Sequence, residues 1–197
     1  AADRVGDFSL LDQDGYHHGM SWYADHQAIV FLVQSNDSES ASAAVSGFND
    51  LKSKYEEAGV EFMMINPMGR LNREAVQERV KEYGVDIPVL MDDARVISET
   101  LGIERVGEVL IFDPKRFTVE FRGTVPSAEV ALEQLLENEE ISPRVVETNG
   151  KIVSYPQKET PSYVSDIAPV LAEQCASCHR EGGVAPFAMD SHTMVKG

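Results

Sequence analysis

The longest apolar run in the chain, Ala28-Ile-Val-Phe-Leu-Val33, has the length and β-branched character of a strand buried on both faces. Polar residues follow, and then Val45, Phe48, Leu51 and Tyr55 recur at helical spacing up to Gly59. Either Asp37 or Ser38 can cap that helix. Val60 to Ile65 predicts a second buried strand, and Glu74 to Tyr83, stopped by Gly84, a second helix. Pro88 to Met91 predicts a short strand, and Arg95 to Leu101 a short helix ending at Gly102. Ahead of these, Phe8 to Leu11 and the turn Asp14-Gly15 predict a small hairpin.

After Gly102 the pattern changes. Glu108 to Phe112 and Phe117 to Phe121 predict two strands joined by a short turn. The second alternates, with Phe117, Val119 and Phe121 against Thr118, Glu120 and Arg122, as in an antiparallel strand with one wet face. Glu129 to Leu136 predicts a closing helix. Parallel crossovers early and an antiparallel pair late imply an α/β fold, a mixed sheet with helices on both faces. Asn149-Gly150 between Val145-Val146 and Ile152-Val153 predicts an appended hairpin, and Pro156 to Pro161 a linker. The domain reading is therefore 1–140, a hairpin and linker over 141–162, and a short, mostly helical segment over 163–197.

Composition narrows the function classes. With 43% hydrophobic and 25% charged residues the 197-residue chain resembles an ordinary globular protein. A net charge of −16 disfavours nucleic acid and anionic lipid as partners and suits a basic redox partner. No apolar run approaches the ~18 residues of a membrane span.

The sharpest motif is Cys175-Ala-Ser-Cys178-His179, which holds both cysteines of the chain. Two thiols at this spacing can add to the vinyl groups of one haem while the adjacent imidazole binds the iron, so the motif predicts a covalent haem c and an electron-transfer role outside the cytoplasm, periplasmic or extracellular. Asp166 is the expected helix cap before it, with Pro169 in the first turn. Three other readings stay open. A zinc half-site would need ligands from the scattered His17, His18, His26 and His192. The pair can be a redox dithiol, although it lies far from the first long strand. It can also be a structural disulfide.

Residues 5 to 137 resemble the redoxin branch of the thioredoxin-like superfamily, which includes peroxiredoxins and TlpA-like proteins. The stretch from Val164 to Met189, VSDIAPVLAEQCASCHREGGVAPFAM, resembles the start of a cytochrome c module fused behind such domains in bacterial proteins. In those relatives a copper monooxygenase-like domain sometimes follows. The resemblance implies haem binding by Cys175, Cys178 and His179. It also implies a distal methionine from beyond this stretch, for which Met189 and Met194 are the thioethers present, His192 a weaker substitute, and a longer parent protein the other solution. A redox partner protein or a downstream oxidoreductase domain is the implied partner.

The resemblance also exposes departures. Where redoxins carry the reactive cysteine, after the first long strand, this chain has Asn36 and Asp37. Where they place a cis-proline, it has Val106-Gly107, and a later Gly-Cys pair corresponds to Gly150-Lys151. Ser35 and Ser38 have no recognisable base beside them to make a nucleophile. The redoxin part is therefore expected to be catalytically silent. Two alternatives to the haem carrier follow: a thiol–disulfide oxidoreductase or peroxidase using Cys175 and Cys178, and a non-catalytic binding or assembly module using the cleft around Asn36 and Gly107.

Overall fold

The computed structural model describes residues 3–67, 73–155 and 160–189. The chain divides into two compact units, Ala1–Tyr155 and Pro156–Gly197. The first unit opens with β1 (Asp3–Arg4) and a separate hairpin of β2 (Ser9–Leu11) and β3 (His17–Gly19). Next come β4 (Ala28–Val33), α1 (Glu39–Tyr55), β5 (Val60–Asn66), α2 (Arg73–Tyr83), β6 (Val89–Met91) and α3 (Val96–Thr100). β7 (Val109–Asp113), β8 (Thr118–Gly123) and α4 (Val125–Leu136) complete it. The six-stranded sheet runs β1-β8-β7-β4-β5-β6. β4, β5 and β6 are mutually parallel, while β7 and β8 run antiparallel to their neighbours, so the expected mixed sheet is present.

Both faces of β4 are sealed, which is why its sequence shows no alternation. Val30 and Leu32 join a core with Phe48 of α1, Val76 of α2 and Leu132 of α4. Ile29, Phe31 and Val33 join a second core with Leu101, Ile103 and Val153. Each fully buried side chain of this size contributes about 1.5–3 kcal/mol. Helices cover the two faces unequally: α1, α2 and α4 supply the first, while α3, the hairpin and irregular segments supply the second.

Three local expectations are corrected. Phe117 adopts a left-handed φ of 56° and lies before β8 rather than in it. A bulge then opposes Ile111 to Phe121 and Phe112 to Val119, leaving Glu120 as the extra residue. Phe121 and Val119, two apart in sequence, consequently enter opposite cores. α4 begins at Val125, one turn early, because Thr124 and Ser127 form a capping box with Pro126 in the first turn. Val145 and Ile152 do not pair with each other: Val145 bridges Arg122 and Ile152 bridges Arg105. Val146 packs on the first core and Val153 on the second, so 144–155 is a strap that belongs to the body of the first unit.

In the second unit a helical run spans 163–175, its first and last turns wound as π-helix. Ser162 is the cap, not Asp166: its Oγ accepts from Ser165 N–H at 3.4 Å, and Asp166 reaches back to Ser162 N–H at 2.7 Å. None of the described residues 160–189 is buried. No helix among the described residues is long and apolar enough to cross a membrane.

Candidate functional site

The carboxyl ends of β4 and β5 open onto a loop, Gln34 to Ser38, that leads into α1. This is the crevice where parallel sheets place ligands. Ser38 sits in extended backbone at φ −114° and its Oγ accepts from Ala41 N–H at 3.3 Å. Ser38 Oγ also lies 2.8 Å from Ser40 Oγ. The helix N-terminus, whose partial positive charge would favour a thiolate, is thus capped by a hydroxyl. Asn36 stands where the sequence places the missing cysteine, and its Oδ1 accepts from Gln34 Nε2 at 2.8 Å. Gln34 Oε1 accepts in turn from Asn66 Nδ2 at 2.7 Å, and Arg79 donates to the Asn36 carbonyl at 3.2 Å. Gln34, Ser35 and Asn66 are buried, and this amide network closes the floor with groups that neither ionise nor attack.

Val106-Gly107 faces the loop, as the sequence implies. Gly107 N–H donates to Val33 O at 2.8 Å and Val33 N–H to Glu108 O at 2.8 Å, which fixes the two segments side by side. Gly107 has φ +83°, a left-handed conformation that favours glycine. Beside them lies a cavity of about 530 Å³ whose walls include Ala43, Ala44 and Gly47 of α1, Val106, and Val125 and Pro126 of α4. Thr148, Asn149 and Gly150 of the strap close its rim. Thr148 and Asn149 of the strap lie where the sequence predicts the turn of an appended hairpin, and Gly150 lies where the resemblance places a Gly-Cys pair.

One ionisable group lies under this edge. Glu108 is buried beside Arg122 at 3.7 Å and accepts from Glu104 N–H at 3.1 Å. Burial pushes its carboxyl above the usual range, against the opposing pull of that N–H and of the guanidinium. The folded value lies above the unfolded one. Its contribution is therefore present below about pH 4.3 and lost as pH rises through the folded value. The stability of the native protein, relative to Glu108→Gln, is expected to fall as pH rises above about 4.3 in urea titrations. A pH-independent difference would refute the assignment.

In the second unit Cys175 ends the helical run, and Cys178 and His179 N–H groups donate to its carbonyl at 3.2 and 2.9 Å. Both thiols are free, Cys175 half-buried and Cys178 exposed. Gly182 takes a left-handed φ of +74°, and a Cβ on Gly183 would stand 2.4 Å from the Cys178 carbonyl. These two glycines let the chain wrap back, so that His179 Nδ1 lies 3.1 Å from Phe187 O and Met189 N–H donates to His179 O at 2.8 Å. His192 and Met194 lie outside the described residues. His17 and His18 sit on β3, and His26 beside Asp25 and Glu61.

A haem requires this unit to supply walls as well as two thiols and an imidazole. The attachment residues are adjacent, yet no described residue around them is buried. Among the described residues, no group of three or more His, Cys, Asp and Glu is placed to hold a metal ion. Among those residues the zinc half-site finds no further ligands; His192 lies outside them.

The comparisons identify a redoxin family and its fold. The family model described as AhpC/TSA family matches residues 1–127. No curated protein matches the sequence. A hypothetical protein of Sinorhizobium meliloti superposes with a TM-score of 0.71 at 18% identity, over 80% of this chain and 95% of its own. A protein of Chlorobium tepidum described as a thiol:disulfide interchange protein DsbE gives 0.57 at 16% identity, over 70% and 95%. The peroxidoxin BcpB of Mycobacterium tuberculosis gives 0.55 at 18%, over 70% and 96%. These likenesses establish the thioredoxin-like α/β fold. The reading of the chain as a haem-bearing electron carrier is overturned: the family model and the named neighbours are redoxins, and among the described residues nothing supports a bound haem.

Proposed function

Because the chain belongs to the AhpC/TSA family, we propose that its first unit keeps the redoxin cleft as a binding site for an extended peptide and has given up catalysis there. One observation carries this reading. The loop that bears the family's thiol is filled by a hydrogen-bonded amide and hydroxyl network, while the apolar cavity beside it stays open. Small side chains at Ala43, Ala44 and Gly47 leave room for an apolar residue of the occupant. The rims at Val106-Gly107 and Thr148–Gly150 line its length, with the Val106 and Gly107 N–H groups already donating to Lys151 O and Val33 O, so that the rim at Thr148-Asn149 is left to flank the occupant. Binding then rests on apolar burial and main-chain hydrogen bonds, the usual terms of extended-peptide recognition.

The test uses the full chain, an apolar fluorescent probe and short extended peptides with one apolar anchor. Ala44→Trp fills the cavity and is expected to weaken both at least about tenfold, the effect of about 1.4 kcal/mol of lost burial. Backbone amide shifts on binding should map to Val106, Gly107 and Thr148. Undiminished binding by the variant, or shifts confined to other faces, would refute the proposal.

A second reading has its own observation: both cysteines are free and sit on one turn at the spacing of a redox dithiol. Thiol–disulfide exchange by Cys175 and Cys178 agrees with what the family and the named neighbours do with cysteine. Its setting would be a compartment outside the cytoplasm, with a redox protein as partner.

A further inference from the structure

The hairpin and the turn Met20–Tyr23 bring together three side chains that neither the cleft nor the thiols use. Asp12 is buried, and its Oδ1 accepts from the N–H groups of Asp14 and Tyr16, both at 2.9 Å. Its Oδ2 lies 2.8 Å from Nε2 of His18. On the far side of the same imidazole, Nδ1 lies 3.0 Å from the phenol oxygen of Tyr23. A carboxylate only accepts hydrogen bonds. In the neutral imidazole the proton therefore sits on Nε2, and Nδ1 accepts the hydrogen of the phenol. The line is polarised throughout: Tyr23 donates to His18, and His18 donates to Asp12.

That order is the one by which a carboxylate orients an imidazole to take a proton from a hydroxyl. A nucleophilic phenolate is not its product here. Burial, followed by the charges of Glu61 and Asp12, pushes the Tyr23 phenol up and holds its proton on. The proton leaves readily only if an electron leaves with it. The other tyrosine hydroxyls with an assigned acceptor are placed differently. Tyr155 donates to the carbonyl of Ile103 at 2.6 Å, which cannot take a proton. Tyr55 donates at 3.0 Å to Glu133, a far weaker base than an imidazole.

We propose that Tyr23 is a redox-active tyrosine. A diffusible one-electron oxidant removes an electron from the phenol and is itself reduced by one electron. The O–H bond breaks and its proton passes to Nδ1 of His18. A neutral tyrosyl radical remains, hydrogen-bonded to an imidazolium that Asp12 stabilises. Re-reduction by a one-electron donor such as a diffusible thiolate returns the proton to the oxygen and restores the residue, one oxidant being reduced and one donor oxidised per cycle. Trp22 is 65% exposed and its ring stands 4.7 Å from that of His17, which places an oxidisable ring at the surface next in sequence to Tyr23.

The full chain is to be oxidised by photogenerated ruthenium(III) tris-bipyridine and read by EPR. The expected result is a tyrosyl signal that Tyr23→Phe reduces at least about tenfold and whose formation His18→Gln slows about 10²-fold, the scale of a lost general base. Native protein labelled with ¹⁵N-histidine should show coupling between the radical and an imidazole nitrogen, a readout that needs no variant to fold. A signal of unchanged yield in Tyr23→Phe, or no histidine coupling in the native protein, would overturn the assignment and leave the three residues as a structural clamp.

Discussion

Replacing Gly150 with alanine is expected to lower the stability of the first unit by about 2–6 kcal/mol and to weaken the cleft with it. A Cβ at this position would overlap the Val106 carbonyl oxygen and stand 2.8 Å from its carbon. Both are backbone atoms, so no rotamer can relieve the clash. Gly150 is not among the residues of positive φ, and the requirement is one of space alone. The strap must separate from Val106. Doing so breaks Val106 N–H to Lys151 O at 2.9 Å and Arg105 to Gly150 O at 3.0 Å. Overpacking of this kind costs about 1–3 kcal/mol, and each lost hydrogen bond about 0.5–1.5 more. Gly6 is the control. It has φ +93° with nothing within 4 Å, so Gly6→Ala bears only the conformational strain. Urea denaturation measures the stabilities, and hydrogen exchange at the Val106 amide reports the strap directly. A Gly150→Ala protein within about 0.5 kcal/mol of native, the range of neutral surface changes, would show that the strap does not wall the cleft.

The strap also shows why sequence reading stops where it does. Asn149-Gly150 between two apolar pairs is a good hairpin signal, because turn chemistry is local. Which neighbour each half pairs with is not local. Val146 is drawn to the first core and Val153 to the second, on opposite faces of the sheet. The same limit governs Phe117 to Phe121, where one bulge residue turns an alternating pattern into two faces. By contrast Val45, Phe48, Leu51 and Tyr55 are all buried on one face of α1, and Ala28 to Val33 is buried throughout. There period and burial coincide and the pattern is sufficient. At the site, Asn36 and Val106-Gly107 could be placed because they flank strands that pattern well. The His18 network could not. Asp12, His18 and Tyr23 lie at intervals that match no motif, and only the β2–β3 pairing together with the turn Met20–Tyr23 aligns them. The electron-carrier expectation is corrected for a different reason. Cys175, Cys178 and His179 do sit on adjacent turns, but a spacing motif says nothing about the walls a prosthetic group needs.

What those thiols do is decided by their oxidation. Incubated with oxidised glutathione, the native chain is expected to lose two hydrogens in intact mass as Cys175 and Cys178 close on each other. In chemical terms one thiolate attacks the glutathione disulfide and expels a glutathione thiol. The second thiolate then attacks the mixed disulfide and expels the other. Cys175→Ser and Cys178→Ser should each stop at a stable mixed disulfide, and both should reduce turnover of a model disulfide to background. Closure needs the two Cα atoms within about 4.4–6.8 Å, and the two sulfurs, free and not at disulfide distance in this turn, must rotate toward each other. The urea midpoint of the first unit should not move in either variant, because the thiols belong to the separate unit Pro156–Gly197. Turnover unchanged in both serine variants would end the dithiol reading. So would native protein whose mass shows both thiols already consumed by a covalent adduct, since a thioether neither attacks nor leaves.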